Sequence, residues 1–150
     1  MKIGELAGAS ATPVETIRYY EREGLLPAPA RSDGNFRLYV DAHLERLQFI
    51  RHCRGLDLSL DEIRVLLRVK DDPTADCGDV NTVLDEHIGH VSTRIRELRQ
   101  LERQLKDLRL RCGDVRTPGC CGILAGLAEA AQEPTPTSAE PRHLRSVHPR

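Results

Sequence analysis

An apolar repeat of seven residues dominates the middle of this 150-residue chain. Its members are large aliphatic residues, separated mainly by Arg, Glu, Gln, Asp and Lys. They are Leu84, Val91, Leu98 and Leu105, with a second row formed by Ile88, Ile95, Leu101 and Leu108. This period is typical of a coiled-coil seam and predicts one helix over about 81–111, ~45 Å long at 1.5 Å per residue. Such a helix needs a partner helix to cover its seam, most economically that of a second copy.

The first part of the chain predicts two short helices joined by a tight turn. Residues 3–9 read as the first helix, and the second is expected over about 13–23. Thr12 is predicted to cap the second helix, with Pro13 at its first position and Glu15 completing a capping box. Two short helices connected in this way form a helix-turn-helix unit.

A hairpin and two further helices are predicted to follow. The pair Asp33-Gly34 lies between short extended segments, and glycine tolerates the positive φ that a tight hairpin needs. The resulting two-stranded ribbon is interpreted as a wing. Helices are then predicted over about 41–54 and 59–69, the latter opening with a capping-box pattern at Ser59 and Glu62.

These patterns predict a mainly α fold, with a winged helix-turn-helix head and a long antiparallel coiled-coil dimerisation helix. The expected domains are a head at 1–70, an acidic hinge loop with Cys77 at 71–80, a dimerisation helix at 81–111, a metal-binding loop with a short helix at 112–131, and a disordered tail at 132–150. The sequence has neither a run of about 20 apolar residues nor a signal-peptide core, so a cytoplasmic location without membrane attachment is expected.

Charge alone does not indicate nucleic-acid binding, because the net charge is −1. The argument depends on where the arginines lie, since a capped second helix and an adjacent hairpin are elements that enter a groove and contact phosphate. The predicted DNA contacts are Arg18 on the second helix and Arg31 and Arg37 on the wing, with the hydroxyls of Tyr19, Tyr20 and Tyr39 as further donors beside them.

The five cysteines predict a metal site. In a cytoplasmic chain they are expected to be thiols. Cys77 precedes the long helix and Cys112 follows it, so within one chain they lie ~50 Å apart. In an antiparallel homodimer, Cys77 of one subunit would instead meet Cys112 and either Cys120 or Cys121 of the other, twice per dimer. Cys121 is favoured because it adjoins the Gly-Ile-Leu packing segment.

Three thiolates form a soft, anionic site that suits Cd(II), Pb(II) or Hg(II), and Zn(II) less well, because zinc prefers four ligands in a closed site. Six acidic residues without Lys or Arg over 71–86 raise the local cation concentration. Cys53, on a head helix, is interpreted as a packed thiol. His87 and His90 lie on one helix face and are either solvated side chains or a second, weaker metal site completed by His143 and His148.

Several segments resemble one known family. MKIGELA, VETIRYYEREGLL, RSDGNFRLY and the later SLDEI are similar to the DNA-binding head of the MerR family of transcription regulators. The DEH segment that opens the long helix and the Cys112…Cys121-Gly-Ile-Leu loop are similar to its cadmium- and lead-responsive branch, the CadR/PbrR type. The resemblance covers roughly residues 1–130.

The resemblance implies the DNA contacts named above, together with Thr16 on the second helix and Asn35 on the wing. It also implies metal ligands at Cys77, Cys112 and Cys121, with Cys77 donated across the dimer. Branches that sense monovalent copper or silver have serine where this chain has Cys77, so a divalent ion is implied. The implied mechanism is activation on a promoter whose spacer is too long for RNA polymerase. Metal binding makes the dimer bend and untwist this DNA, and the polymerase elements realign.

Two other functions compete with this interpretation. A cytoplasmic metal buffer or chaperone would explain the cysteines but not the basic, capped head, and a mobility-shift assay separates the two. A redox-sensing regulator with an iron–sulfur cluster would need four clustered cysteines, and only three are suitably placed. An enzyme is not expected, because the sequence has no glycine-rich phosphate loop and no serine elbow.

Overall fold

The computed structural model describes residues 1–112 and 121–132 of the chain. Within these ranges it is mainly α, as the sequence predicts. The elements are α1 (Ile3–Ser10), α2 (Val14–Arg22), β1 (Ala30–Arg31), β2 (Arg37–Leu38), α3 (Asp41–Gly55), α4 (Leu60–Asp71), α5 (Gly78–Leu110) and α6 (Gly122–Ala130). The chain forms two compact units, Met1–Asp85 and a second that begins at Glu86, so the boundary falls within α5.

The helix-turn-helix pair and the ribbon share one apolar core. Leu6 of α1 and Ile17 of α2 are fully buried and belong to one cluster with Leu26, Tyr39 and Leu47. Burying a Leu or Ile side chain stabilises a fold by ~1.5–3 kcal/mol relative to leaving it exposed. This core therefore fixes α2 against α1 and holds the end of the ribbon beside them.

A second core lies between α3, α4 and the first turns of α5. Its buried members are Leu25, Ile50, Cys53, Leu58, Ile63, Leu67 and Val83. Leu25 and Leu26 are consecutive, yet each belongs to a different core, and Tyr20 packs against both. The residues that follow α2 therefore pack into both cores, and this fixes the orientation of α2 within the head.

The turn between α1 and α2 differs from the prediction at Thr12. The Thr12 hydroxyl donates to the carbonyl of Ser10 at 3.2 Å instead of capping α2. Pro13 occupies the position before α2, which begins at Val14 without a side-chain cap. The predicted capping box with Glu15 is therefore wrong, because the buried Thr12 side chain turns back toward the end of α1.

The hairpin, here called the wing (residues 30–38), is confirmed, but its left-handed residue is not the predicted one. β1 and β2 are antiparallel. Asn35 donates to the Ser32 carbonyl and Ser32 donates to the Phe36 carbonyl, each at 2.8 Å. Asn35, with φ of 64°, adopts the left-handed conformation, whereas Gly34 does not. A three-residue loop with a left-handed third residue is a common hairpin geometry, and asparagine tolerates it.

Helix α4 begins as predicted. The Ser59 hydroxyl accepts from the Glu62 backbone N–H at 3.2 Å, and the Glu62 carboxylate accepts from the Ser59 N–H at 2.8 Å. This reciprocal pair satisfies two backbone donors that the first turn of the helix would otherwise leave without partners.

Helix α5 is one uninterrupted helix of 33 residues. It begins at Gly78, three residues before the predicted 81, because Asp76 accepts the Gly78 N–H at 2.8 Å and the Cys77 carbonyl accepts the Asn81 N–H at 2.9 Å. Cys77 thus stands directly before the helix, and Cys112 comes two residues after its end. The long helix predicted from the seven-residue repeat is confirmed.

Candidate DNA interface and metal site

The predicted DNA-contacting face of α2 is partly exposed. Arg18 and Tyr19 are exposed, with Arg18 3.4 Å from Glu15 and the Arg22 guanidinium 5.9 Å from the centre of the Tyr19 ring. Thr16 is half-buried. Tyr20 is also half-buried, and burial raises the pKa of its hydroxyl. Arg18 and Tyr19 are therefore the predicted α2 contacts that reach furthest into solvent.

The wing presents two exposed arginines. Arg31 donates through Nη1 to the backbone carbonyl and the side-chain oxygen of Asn35, at 3.1 and 3.2 Å. Arg37 lies 3.5 Å from Glu21 on α2. Exposed guanidiniums with fixed stems are suited to phosphate oxygens, which they contact through parallel N–H donors.

Tyr39, predicted as a DNA contact, is instead a buried residue. It is 2% exposed, and its hydroxyl donates to the Glu21 carboxylate. Burial, followed by the hydrogen bond to Glu21 and the charge of that carboxylate, raises the pKa of Tyr39 to about 12. The Glu21 carboxylate therefore accepts a hydrogen bond from the Tyr39 hydroxyl and lies beside Arg37, so it links β2 and the residue after it to α2. Tyr39 stabilises the interface without being presented at it.

A cleft of about 280 Å³ lies between α2 and the wing. Its lining includes Lys2 and Phe36, neither of which the sequence predicts as a site residue. It is lined by Lys2, Ile3, Arg18, Asn35, Phe36 and Arg37. Three cations without an acidic residue among the lining make this cleft suitable for a phosphate group. Phe36 is 67% exposed at its edge. Lys2 gave no signal in the sequence, because its position beside Arg18 depends on how α1 packs on α2.

Two of the cysteines predicted as metal ligands, Cys112 and Cys121, interact with one another in the structure. Cys112 follows α5, and Cys121 is the N-cap residue of α6. Interactions with the backbone N–H groups of Leu124 and Ile123, and with the neighbouring Cys112 thiol, hold the pKa of Cys121 below its ordinary value. The helix N-terminus thus favours the thiolate, which is the form that binds a metal ion.

Two glycines permit this arrangement. A Cβ on Gly122 would lie 2.6 Å from the carbonyl oxygen of Arg111, and one on Gly126 would overlap the Arg111 guanidinium. The first turns of α6 therefore approach the end of α5 more closely than any side chain allows. Arg109 adds a bond of 2.8 Å to the Cys112 carbonyl.

The remaining cysteines occupy different environments. Cys77 is exposed in the acidic segment before α5. Cys53 is buried in the second core, where burial raises the pKa of its thiol, and the prediction of a packed thiol is confirmed. Cys120 lies outside the described residues.

The two predicted helix histidines differ in exposure. His87 is 7% exposed and His90 is exposed, with ring centres 6.3 Å apart and edge to face. His87 is therefore not the solvated side chain that one alternative expected. His143 and His148 lie outside the described residues, and the second metal site stays a prediction.

The donor set fits a soft metal ion. Two thiols are already in contact in one chain, and an exposed third thiol, that of Cys77, lies in a segment whose sequence also has Asp72, Asp76 and Asp79. Cysteine sulfur selects thiophilic ions over hard cations such as Mg(II). Cys112 and Cys121 would supply two ligands, leaving room for a third.

Among the residues that the structure describes, much of the seam of α5 is exposed. Its most exposed residues are Leu84, Ile88, Ile95, Leu101 and Leu105, each more than 40% accessible. A long exposed aliphatic row of this kind is a partner surface rather than a solvated helix face. Among the residues described, no helix combines the length and apolar character needed to cross a bilayer.

A helix-turn-helix with a wing, presenting arginines on both, defines a DNA-binding regulator, and comparison with known proteins agrees. Residues 1–70 match the model described as "MerR HTH family regulatory protein", and residues 44–108 match "MerR, DNA binding". A ZntR homolog of Haemophilus influenzae, an HTH-type transcriptional regulator, is 52% identical over 73% of this chain and 81% of its own. The chain belongs to the MerR family and is a transcriptional regulator, not an enzyme.

Two solved structures are similar over nearly their whole length. The transcription regulator PbrR691 from Ralstonia metallidurans CH34, in complex with lead(II), is 56% identical with a TM-score of 0.77, covering 85% of this chain and 98% of that chain. The dual-function regulator MerR from Bacillus megaterium MB1, in complex with mercury(II), is 34% identical with a TM-score of 0.68, covering 85% and 99%.

Proposed function

We propose that this protein is a metal-responsive transcriptional activator that works as a homodimer on promoter DNA in the cytoplasm. The observation that carries the proposal is the contact between Cys112 and Cys121, because a preassembled pair of thiols in a chain that also has a DNA-binding head has no role in DNA binding itself. It is a ligand pair. The inducers expected are Cd(II) and Pb(II), then Hg(II), with Zn(II) behind them.

The dimer supplies the third ligand. Helix α5 separates Cys77 from Cys112 by 33 helical residues, and a helix of that length is ~50 Å long. In an antiparallel pair of α5 helices the start of one lies beside the end of the other. Cys77 of each subunit would then complete the Cys112–Cys121 pair of its partner, and the exposed leucine seam would be covered in the same step.

The choice of metal is supported by the donor set and by two relatives. A site of three thiolates with no nitrogen or carboxylate ligand favours large thiophilic ions over zinc, which prefers four ligands. Of the two solved relatives, PbrR691 is in complex with lead(II) and the Bacillus megaterium MerR is in complex with mercury(II). Cadmium shares this ligand preference and is ranked with lead.

Activation requires a difference between two conformations of the dimer. A ligand shifts an equilibrium only to the extent that it binds one conformation better. Because the site draws ligands from both subunits, it favours the arrangement of the two heads that brings Cys77 to the partner's pair. On a promoter with an overlong spacer, that arrangement would bend and untwist the DNA so that RNA polymerase engages both promoter elements. The regulated genes are expected to confer heavy-metal resistance.

Transcription in vitro tests the proposal. The full-length protein, RNA polymerase and a promoter fragment recovered by selection with this protein would be combined with Cd(II), Pb(II), Hg(II) or Zn(II) at buffered free concentrations. Cadmium and lead are expected to activate at the lowest free concentrations. A Cys112→Ser/Cys121→Ser variant is expected to bind the fragment and not respond. A response to zinc alone, or an undiminished response of this variant, would contradict the proposal.

A further inference from the structure

Arg46 on α3 joins two parts of the head that are distant in sequence. Its Nη1 donates to both carboxylate oxygens of Asp71, each at 2.8 Å, and its Nε donates to the carbonyl of Leu25 at 2.6 Å. The Arg46 side chain is largely buried, at 19% exposure. A guanidinium held by short bonds in two directions is fixed in one geometry, so it transmits a displacement of either partner.

Asp71 lies at the end of α4 from which the chain leads to Cys77. It is the last residue of α4, and the segment 72–77 that follows ends in the proposed ligand Cys77. A helix C-terminus carries a partial negative charge, so a carboxylate there is unfavourable unless a cation pairs with it. Arg46 supplies that cation, and the end of α4 is thereby tied to α3.

The segment between Asp71 and Cys77 is braced by its own hydrogen bonds. The Asp72 carboxylate accepts from the Thr74 N–H at 2.9 Å and from its hydroxyl at 2.7 Å, and these bonds lower the pKa of Asp72. The Ala75 N–H donates to the Asp72 carbonyl at 3.2 Å. A short segment with these internal bonds passes a movement at one end to the other more completely than a free chain does.

Leu25 is connected to α2, the helix proposed to contact DNA. Its backbone N–H donates to the carbonyl of Tyr20 at 2.9 Å, and the N–H of Leu26 donates to the same carbonyl at 3.2 Å. The peptide that Arg46 holds therefore lies three residues after α2 and is hydrogen-bonded back to the last turn of that helix, which carries Arg18 and Tyr19. Arg46 thus hydrogen-bonds both to Leu25, just after α2, and to Asp71, just before the segment that leads to Cys77.

We propose that Arg46 is a positioning residue that couples the segment 72–77 to α2, so that metal binding at Cys77 changes the position of α2 relative to DNA. This inference rests on the proposed function. An open groove of about 500 Å³ beside the ion pair, lined in part by Gly24, Arg68 and Asp72, leaves the segment room to shift.

The test compares Asp71→Asn and Arg46→Gln with Asp61→Asn in the full-length protein. Asp61 also forms an ion pair on α4, 2.6 Å from Arg64, but it lies at the other end of that helix. Three quantities would be measured for each variant: Cd(II) affinity, affinity for the selected promoter fragment without metal, and the fold-activation of transcription by Cd(II). Asp71 is half exposed, so Asp71→Asn is expected to fold even if Arg46→Gln does not.

Both coupling variants are expected to bind Cd(II) and promoter DNA nearly as the wild type does and to lose roughly two- to tenfold in activation. The double variant is expected to lose no more than either single one, because both remove the same interaction. Activation as in the wild type, or an equal loss in Asp61→Asn, overturns the inference. So does a loss of promoter affinity that accounts for the whole effect. A wild type that does not respond to metal overturns the proposed function and this inference with it.

Discussion

Cys112 and Cys121 lie in hydrogen-bond contact, although eight residues separate them in the chain. The two residues meet because the first turn of α6 approaches the end of α5 closely, with Gly122 against the Arg111 carbonyl. Two of the three proposed metal ligands are therefore assembled within one chain before any ion binds. The remaining ligand has to come from elsewhere.

Removing either thiol of this pair is expected to abolish tight metal binding. Cys112→Ser and Cys121→Ser each replace a soft sulfur by a weakly coordinating hydroxyl, so Cd(II) affinity is expected to fall by more than about 100-fold. The measurement is titration of the thiolate-to-metal absorbance band, with bound metal counted per protomer. Cys53→Ala is the matched control, since Cys53 is a buried thiol of the second core. An equal loss in the control would contradict the assignment.

Gly122→Ala is expected to weaken metal binding without touching a ligand. The added Cβ would lie 2.6 Å from the Arg111 carbonyl oxygen, so α6 must move away from the end of α5. Overpacking of this kind costs ~1–3 kcal/mol, which corresponds to roughly tenfold or more in Kd. Gly89→Ala on α5 is the control, because a Cβ there meets nothing within 4 Å. Equal Cd(II) affinities for the two variants would show that the close approach does not matter.

The bond between Tyr39 and Glu21 predicts a specific loss of stability in alkali. The pKa of Tyr39 in the fold is raised from 10.0 to about 12, so the neutral hydroxyl is favoured in the folded state. Its contribution is fully present below about pH 10 and is lost as the pH rises through about 12. Denaturant unfolding at several pH values should show that wild type exceeds Tyr39→Phe by ~1 kcal/mol at neutral pH. The gap should close above pH 10, whereas Tyr19→Phe, at an exposed ring, should track the wild type throughout. A gap independent of pH would contradict this.

Lys2 is expected to contribute one phosphate contact. It lines the cleft between α2 and the wing with Arg18 and Arg37, and no acidic residue lines that cleft. Each phosphate neutralised adds about 0.9 to the slope of log K against log salt concentration, so Lys2→Ala should reduce the slope by about 1. Lys106→Ala is the control, since Lys106 pairs with Glu102 on α5. Binding to the selected promoter fragment across a salt series measures both, and identical slopes for the two variants would remove Lys2 from the interface.

The period of the apolar residues and the local signals for helix starts and turns are sufficient to predict much of this fold. The seven-residue repeat predicts α5, and the Ser59–Glu62 pair predicts the start of α4, because both signals depend on residues close together in sequence. The thiol pair was predicted for a similar reason, since a loop rich in Gly and Pro after a long helix has no core in which to bury Cys112 and Cys121.

What the sequence could not predict depends on contacts across the fold. Tyr39 follows a basic wing, a position that predicts a DNA contact, but its hydroxyl meets Glu21, 18 residues earlier in the chain. Arg46 meets Asp71, 25 residues later. In both cases the partner is determined by how helices pack, and no local spacing indicates it. Local patterns therefore located the site, and tertiary packing decides which polar residues serve it.

In the proposed dimer, each metal site takes Cys77 from one subunit and Cys112 with Cys121 from the other. The most direct measurement is the Cd(II) content of a mixed dimer formed by Cys77→Ser and Cys112→Ser/Cys121→Ser subunits, each carrying a different affinity tag. Neither homodimer has an intact site, but in the mixed dimer the intact Cys77 would face the intact thiol pair. One tightly bound Cd(II) per mixed dimer, and none in either homodimer, is the predicted result. A mixed dimer that binds no more Cd(II) than its parents would contradict the account.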